Sequence, residues 1–160
     1  MAFFSRKLSP SLLRPLRGAD AEKCALIHAA SFAYPWPPAD FEAMIADASI
    51  SAFGAFDPST KALRGFSLAR CAADEAEILT IAVAKQFRRR GVGRELLARQ
   101  CANLGAAGLR SIFLEVEHAN AAALALYARM GFTQVATRPG YYRRPEQTAS
   151  HALVMKKTFA

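Results

Sequence analysis

One segment, Glu77 to Leu97, restricts what this chain can become more than any other. Its first part, Glu77 to Val83, is apolar at Ile78, Leu79, Ile81 and Val83 and places only uncharged Thr80 and Ala82 between them. The pattern predicts a central strand buried on both faces. After Ala84 to Phe87 comes Arg88-Arg89-Arg90-Gly91-Val92-Gly93-Arg94, and apolar residues at Val92, Leu96, Leu97, Cys101 and Leu104 then recur at helical spacing. A strand therefore runs through a basic, glycine-bearing turn into a helix. Glycines let the backbone come close to a ligand, and the first helical turn leaves amide N–H groups without intrahelical partners. The helix dipole and Arg88, Arg89, Arg90 and Arg94 add positive charge, so a ligand carrying several phosphates fits here.

Two familiar phosphate loops are excluded. No lysine and hydroxyl follow the second glycine, as a Walker A loop requires, and the three-glycine spacing of a dinucleotide fold is absent. What remains is R-x-x-G-x-G between a strand and a helix. It resembles the acetyl-coenzyme A loop, Q/R-x-x-G-x-G/A, of the GCN5-related N-acetyltransferase (GNAT) superfamily, in which this loop receives the pyrophosphate.

With 160 residues the chain is expected to form a single domain, residues 1–160, long enough to bury a substantial core. The net charge of +8 suits a polyanionic ligand or a ribonucleoprotein neighbourhood, but nothing resembles a sequence-specific nucleic-acid motif. Cys24, Cys71 and Cys101 lie far apart among apolar neighbours. They read as buried free thiols in a reducing cytosol rather than as disulfides, a metal site or a nucleophile. No run approaches membrane-spanning length, so a cytoplasmic protein is expected.

Along the chain, Met1 to Ser11 read as a loose leader and Leu12 to Leu16 as a strand. A helix capped near Asp20 follows, with Cys24, Ile27 and His28 inward, His28 as a packing residue. Ser31-Phe32-Ala33-Tyr34-Pro35-Trp36-Pro37-Pro38 forms a stiff aromatic loop. Next are a helix at Ala39 to Ala48, strands at Ile50 to Phe56 and Leu63 to Cys71, and the segment described above, whose helix is stopped by Gly105 to Gly108. In the strand Arg110 to Glu117, Ile112, Leu114 and Val116 face one way, and Phe113, Glu115 and Glu117 the other. A helix at Ala121 to Met130 and strands at Phe132 to Thr137 and Ala149 to Met155 complete an α/β domain. The order is that of the GNAT fold: a mixed, mostly antiparallel sheet with helices on both faces and two splayed parallel strands holding acetyl-coenzyme A.

Acetyl transfer from a thioester to an amine needs a group to take the ammonium proton and one to protonate the departing thiolate. Glu115 is the candidate base, with Glu117 its same-face neighbour, and Tyr127 is the candidate acid. Tyr127 lies seven positions after Asn120, which at 3.6 residues per turn puts the two on nearly one azimuth. Read as plain structure, Asn120 is an N-cap and Tyr127 a core aromatic.

The resemblance narrows further over the second half. Leu79 to Val83, Arg88 to Leu97, Leu114-Glu115-Val116, Asn120 to Tyr127, Met130-Gly131-Phe132 and Tyr141-Tyr142 are similar to the RimI-type ribosomal-protein alanine N-acetyltransferases. Phe32 to Trp36 resembles that branch's aromatic-proline loop, with one extra residue. The resemblance implies Glu115 as general base, Tyr127 as general acid and backbone groups of Ile81, Ala82 and Val83 on the pantetheine arm. It implies Arg88, Arg89, Arg90, Gly91, Val92, Gly93 and Arg94 around the pyrophosphate and Asn120 as a further coenzyme contact. Trp36, Glu117, Tyr141 and Tyr142 would line the path of an acceptor, the N-terminus of a ribosomal protein, and no metal is implied. Two other readings remain open on sequence alone: the same chemistry on a small-molecule amine, and a non-catalytic basic ribosome- or RNA-binding module.

Overall fold

The computed structural model describes residues 7–142 and 150–160, with backbone alone at 140–142 and 150. Strand β1 (Leu12–Pro15) leads through a 3-10 turn (Gly18–Asp20) into α1 (Ala21–Ser31) and α2 (Pro38–Ala46). Strands β2 (Ile50–Phe56), β3 (Leu63–Ala72) and β4 (Glu75–Val83) follow, then α3 (Val92–Ala106), β5 (Ser111–Glu117), α4 (Ala121–Arg129), β6 (Thr133–Tyr142) and β7 (Ser150–Thr158). The strands form one seven-stranded sheet in the order β1-β2-β3-β4-β5-β7-β6. All pairings are antiparallel except that of β4 with β5. This is the mixed α/β architecture expected.

Two layers of helix cover the sheet. Helices α1 and α2 bury Cys24 and Phe41 against Phe56, Phe66 and Leu68 on one face. Phe41 meets Phe66 edge to face at 5.4 Å, and truncating such a buried aromatic costs about 3–5 kcal/mol. On the other face, Leu97, Cys101 and Leu104 of α3 and Tyr127 of α4 pack on Ile78, Ile112, Leu114 and Val116. Phe113, Glu115 and Glu117, which alternate with that buried set along β5, therefore project to the opposite face, as expected.

Strand β4 departs from the expectation of two buried faces. Glu75 and Glu77 are exposed, and each face closes only further along. The reason lies in the register with β3: Ala69 pairs with Ile78 and Leu68 with Thr80, so Leu79 is an extra residue. Before this bulge Ala76 and Ile78 face α3, whereas beyond it Ile81 and Val83 do. Leu79 and Ala82 join the α1–α2 side. A bulge bends its strand and increases its twist. Pairing of β4 with β5 accordingly runs only through Glu75–Ser111, Ala76–Ile112 and Glu77–Phe113. From Ile78 and Leu114 onward the parallel strands part.

Three further expectations need correction. The supposed leader is tied down at its C-terminal end: Arg64, fully buried, donates to Ser9 O at 2.7 Å, Ser9 Oγ at 3.2 Å and Ser11 Oγ at 3.1 Å, and pairs with Asp57 Oδ2 at 2.7 Å. A buried cation demands such partners, and residues 1–6 lie outside the described residues. Asp20 does not cap α1 with its side chain; its carboxylate turns back to accept from Arg17 N–H and Arg14. Strand β6 continues past Thr137 to Tyr142, and β7 past Met155 to Thr158.

The Arg64 cluster yields an ordering of stabilities. Asp57 is held down to about 2 by the Thr60 N–H, the Arg64 guanidinium and the Ser59 N–H, so it remains an anion through the physiological range. Asp57→Ala leaves a buried cation unpaired, whereas Arg64→Met removes the cation itself. Thermal unfolding is expected to rank parent above Arg64→Met above Asp57→Ala.

Candidate active site

The start of α3 is built as an anion site. Gly91, the N-cap, has φ +88°, and Arg89 lies in the same left-handed region at φ +60°, so the chain curls back before the helix begins. Among the described residues no side chain caps this N-terminus. Glu95 N–H already bonds Gly91 O at 3.0 Å, so the N–H groups of Val92, Gly93 and Arg94 are the ones this first turn leaves to a ligand. Arg89, Arg90 and Arg94 are exposed around it, while the Val92 side chain is buried in the core and has only its backbone to offer.

Arg88 is engaged differently. Its Nε donates to Val83 O at 3.0 Å and its Nη2 to Ser31 Oγ at 3.1 Å. Arg88 thus braces the loop between the end of β4 and the end of α1, and of the Ile81, Ala82 and Val83 backbone the Val83 carbonyl is already taken. Nearby, Thr80 Oγ1 is buried with no hydrogen-bond partner among the described residues, on the stretch of β4 beyond its last pairing with β5 at Glu77.

On α4, Asn120 is the N-cap, its Oδ1 accepting from Ala123 N–H at 3.1 Å. Its amide N–H groups remain donors. Tyr127 is 7% exposed, with its ring 5.8 Å from that of Phe132. Burial pushes its phenol up to about 12, so it keeps its proton through the neutral range. Both plain structural roles are therefore filled, and each leaves the polar group that chemistry would use.

Glu115 lines a groove of about 320 Å³ on the face away from α3, together with Glu77, Phe113, Arg70, Arg138 and Val154. Its side chain is 32% exposed, and Oε1 pairs with Arg138 Nη1 at 3.0 Å. Sequence reasoning missed this partner because β6 was expected to end at Thr137, one residue short of it. Glu117 is exposed beyond the groove, opposite Ala152. Trp36 is placed elsewhere: its ring stacks on His28 at 4.7 Å, and with Pro35, Pro37, Pro38 and Leu26 it lines a separate apolar groove of about 500 Å³. The backbone of Tyr141 and Tyr142 extends β6, while their side chains lie outside the described residues. Burial pushes all three cysteine thiols up, Cys24 to about 12, which suits inert packing residues and not nucleophiles.

These elements fit a coenzyme A thioester. The strands part where a pantetheine arm needs backbone partners, and uncapped N–H groups with three arginines stand where a pyrophosphate needs donors. Gly93 completes the cradle: a Cβ there would sit 3.5 Å from Leu126 Cδ2 and 3.9 Å from Val83 Cγ2, in ordinary contact at the lip of the cleft.

The two glycines are accordingly unequal. Gly91→Ala forces an alanine into the left-handed region, at a cost of about 1 kcal/mol or more, and is expected to lower both the melting temperature and coenzyme affinity. Gly93→Ala is expected to keep the melting temperature within about 1 °C and to bind coenzyme, as calorimetry would show. His28 gives a second test. Its Nδ1 accepts the Trp36 N–H at 3.2 Å, and burial holds its pKa below the usual value. The folded state thus favours neutral histidine, and stability falls as pH drops through and below about 6.5. Fluorescence of the single tryptophan should shift to the red as the pH is taken progressively below about 6.5, and His28→Leu should abolish the shift.

Comparison with known proteins agrees with this geometry. Residues 21–132 match the acetyltransferase (GNAT) family. The chain is 38% identical over 140 residues to N-alpha-acetyltransferase RimI of Mycobacterium tuberculosis, covering 84% of this chain and 85% of that one. It is 40% identical over 80 residues to the ribosomal protein bS18 alanine N-acetyltransferase of Salmonella typhimurium, which is 50% of this chain and 54% of that relative; the match thus spans about half of the Salmonella protein's length. The crystal structure of the ribosomal-protein-S18-alanine N-acetyltransferase from Escherichia coli is similar with a TM-score of 0.83 at 27% identity, covering 92% of this chain and 93% of that chain. Fold, glycine-bearing turn and sequence relatives converge: this chain belongs to the acetyltransferase (GNAT) family, as a RimI-type acyltransferase.

Proposed function

We propose that this chain works as a single N-acetyltransferase domain in the cytoplasm, moving the acetyl group of acetyl-coenzyme A to the α-amine of an N-terminal alanine on a small-subunit ribosomal protein. The observation that carries the reading is the parting of β4 from β5 after Glu77 and Phe113. It leaves a cleft with the uncapped end of α3 beside it and Glu115 on the opposite face of the sheet. The acceptor class is supported by the Salmonella typhimurium relative, an alanine N-acetyltransferase of ribosomal protein bS18.

Acetyl-coenzyme A contributes an activated acyl group as a thioester. The chain's part is to hold and orient it. Val92, Gly93 and Arg94 N–H groups and the side chains of Arg89, Arg90 and Arg94 bind the pyrophosphate, and the Ile81 backbone with the Val83 N–H aligns the pantetheine arm, since Ala82 turns its backbone groups to Phe66 of β3. The Asn120 amide donates to the same arm.

An α-amine arrives largely as an ammonium at neutral pH. Glu115 takes one proton from it, directly or through one water, and becomes a carboxylic acid as the amine becomes neutral. The nitrogen lone pair then forms the new C–N bond at the acyl carbon while the C–S bond breaks. Tyr127, whose phenol burial keeps protonated at neutral pH, donates its proton to the departing sulfur, and the surplus proton on the newly acylated nitrogen leaves through water as the amide forms and restores the phenol. Glu117, Tyr141 and Tyr142 are assigned to the acceptor's approach, and Trp36 is not, because it lines a separate groove and stacks on His28. No metal enters the scheme.

Mass spectrometry after incubation with acetyl-coenzyme A tests the acceptor. Peptides with a free N-terminal alanine from the host's small-subunit ribosomal proteins should gain one acetyl group, and the same peptides with blocked α-amines none. Acetylation of both would point to lysine side chains, and turnover of spermidine alone to a small-amine enzyme. Glu115→Gln and Tyr127→Phe should each lower kcat by about a hundredfold or more, and rates equal to the parent's would remove those assignments.

A further inference from the structure

Glu115 stands on a stretch of sheet where little fixes a side chain. It is partly exposed, it shares its face with Glu117 two residues on, and its cross-strand neighbour is Val154, which offers no donor. Glu77 lines the same groove and adds a second negative charge nearby. A carboxylate in such surroundings samples several rotamers. A base must meet its proton at hydrogen-bond range, and small displacements are expensive in rate. Something has to hold it.

The register shows what does. Arg138 on β6 is paired with Ala152 on β7, and Ala152 with Glu117 on β5. Arg138 therefore reaches Glu115 on a diagonal, two strands over and one step back, across an alanine whose methyl leaves the lane open. Ala152 is 3% exposed, as a residue covered by that crossing would be. The closest approach is Arg138 Nη1 to Glu115 Oε1 at 3.0 Å. A carboxylate has about four acceptor sites on its two oxygens, so one guanidinium leaves capacity for an incoming ammonium. The remaining cations nearby are differently placed: Lys156 lies over the Phe113 ring at 4.9 Å, and Arg70 lines the groove from β3. With 57% of its side chain exposed, Arg138 forms a pair that water and salt screen too well for it to matter much to the fold.

We infer that Arg138 is the positioning residue of the base: it fixes the Glu115 carboxylate at the acceptor side of the cleft and acts on the reaction through Glu115 alone. The inference rests on the proposed role of Glu115 as proton acceptor. It also makes β6 part of the machinery, because Arg138 immediately precedes the Pro139 to Tyr142 backbone that continues that strand toward the acceptor side.

A double-mutant cycle tests it. Parent, Arg138→Ala, Arg138→Lys, Glu115→Gln and the Glu115→Gln/Arg138→Ala protein are compared on whichever amine the parent turns over, the alanyl peptide or spermidine. Failure of the peptide with success of spermidine therefore strikes the proposed acceptor and leaves the cycle intact. Arg138→Ala should lower kcat about tenfold or more with the KM for acetyl-coenzyme A unchanged, and Arg138→Lys should recover part of the loss. In the Glu115→Gln background, removal of Arg138 should cost nothing further. Arg138→Gln serves as the neutral variant if the alanine protein does not fold. Parental kcat in Arg138→Ala, an equal loss in both backgrounds, or a rise confined to the KM for the amine would each overturn the inference. A parent inactive on both amines would remove the role of Glu115 and this one with it.

Discussion

The extra residue in β4 is the constraint on which the rest of the structure depends. Parallel strands joined in register would satisfy one another's backbone groups along their whole length and leave no place for a ligand between them. Leu79 prevents this. By adding one residue against β3, it bends β4 away from β5 after three paired positions. It also changes which residues face α3, from Ala76 and Ile78 before the bulge to Ile81 and Val83 beyond it. The core on both faces is packed against that changed phase, so the opening is locked in by burial and not by any single bond at the cleft.

The two sides of the cleft are then furnished by different means. On the α3 side the groups are local in sequence: Gly91 at positive φ, the first-turn N–H groups and the arginines all belong to one turn. On the other side they are assembled from distant segments, with Glu115 on β5 and Arg138 on β6 meeting across β7. Arg88 ties the turn to α1, since its guanidinium spans from the Val83 carbonyl to Ser31 at the root of the aromatic-proline loop.

That difference explains what could be read from the sequence. The strand, the turn and the helix from Glu77 to Ala106 are one contiguous pattern, and the faces that carry Glu115 and Tyr127 follow from alternation and helical periodicity; those placements were legible. Arg138 was not, because Thr137-Arg138-Pro139 reads as a strand ending, whereas pairing with β7 carries β6 on to Tyr142. The bulge was not legible either. An apolar run with an extra residue looks like a strand buried on both sides, and only the register shows that the burial changes phase at Leu79. The hold of Arg64 on Ser9 and Ser11 is invisible for a related reason: an arginine inside an apolar strand gives no sign of which distant oxygens will satisfy it.

Buried and exposed ions play opposite parts in this molecule. Arg64 has no exposure and meets Ser9, Ser11 and Asp57 together, a set of contacts that a desolvated cation requires and that fixes one arrangement of the chain. Arg138 and Glu115 keep much of their hydration and meet at 3.0 Å. An exposed pair of that kind contributes about 0–1 kcal/mol to folding, so selection for stability alone has little hold on it. The same weakness suits a proton acceptor. A carboxylate locked by several strong donors would be a poor base, while one held by a single exposed arginine is aimed and still able to accept a proton. The sheet thus places its firm polar contacts where the chain must be fixed and its yielding one where the proposed mechanism moves a proton.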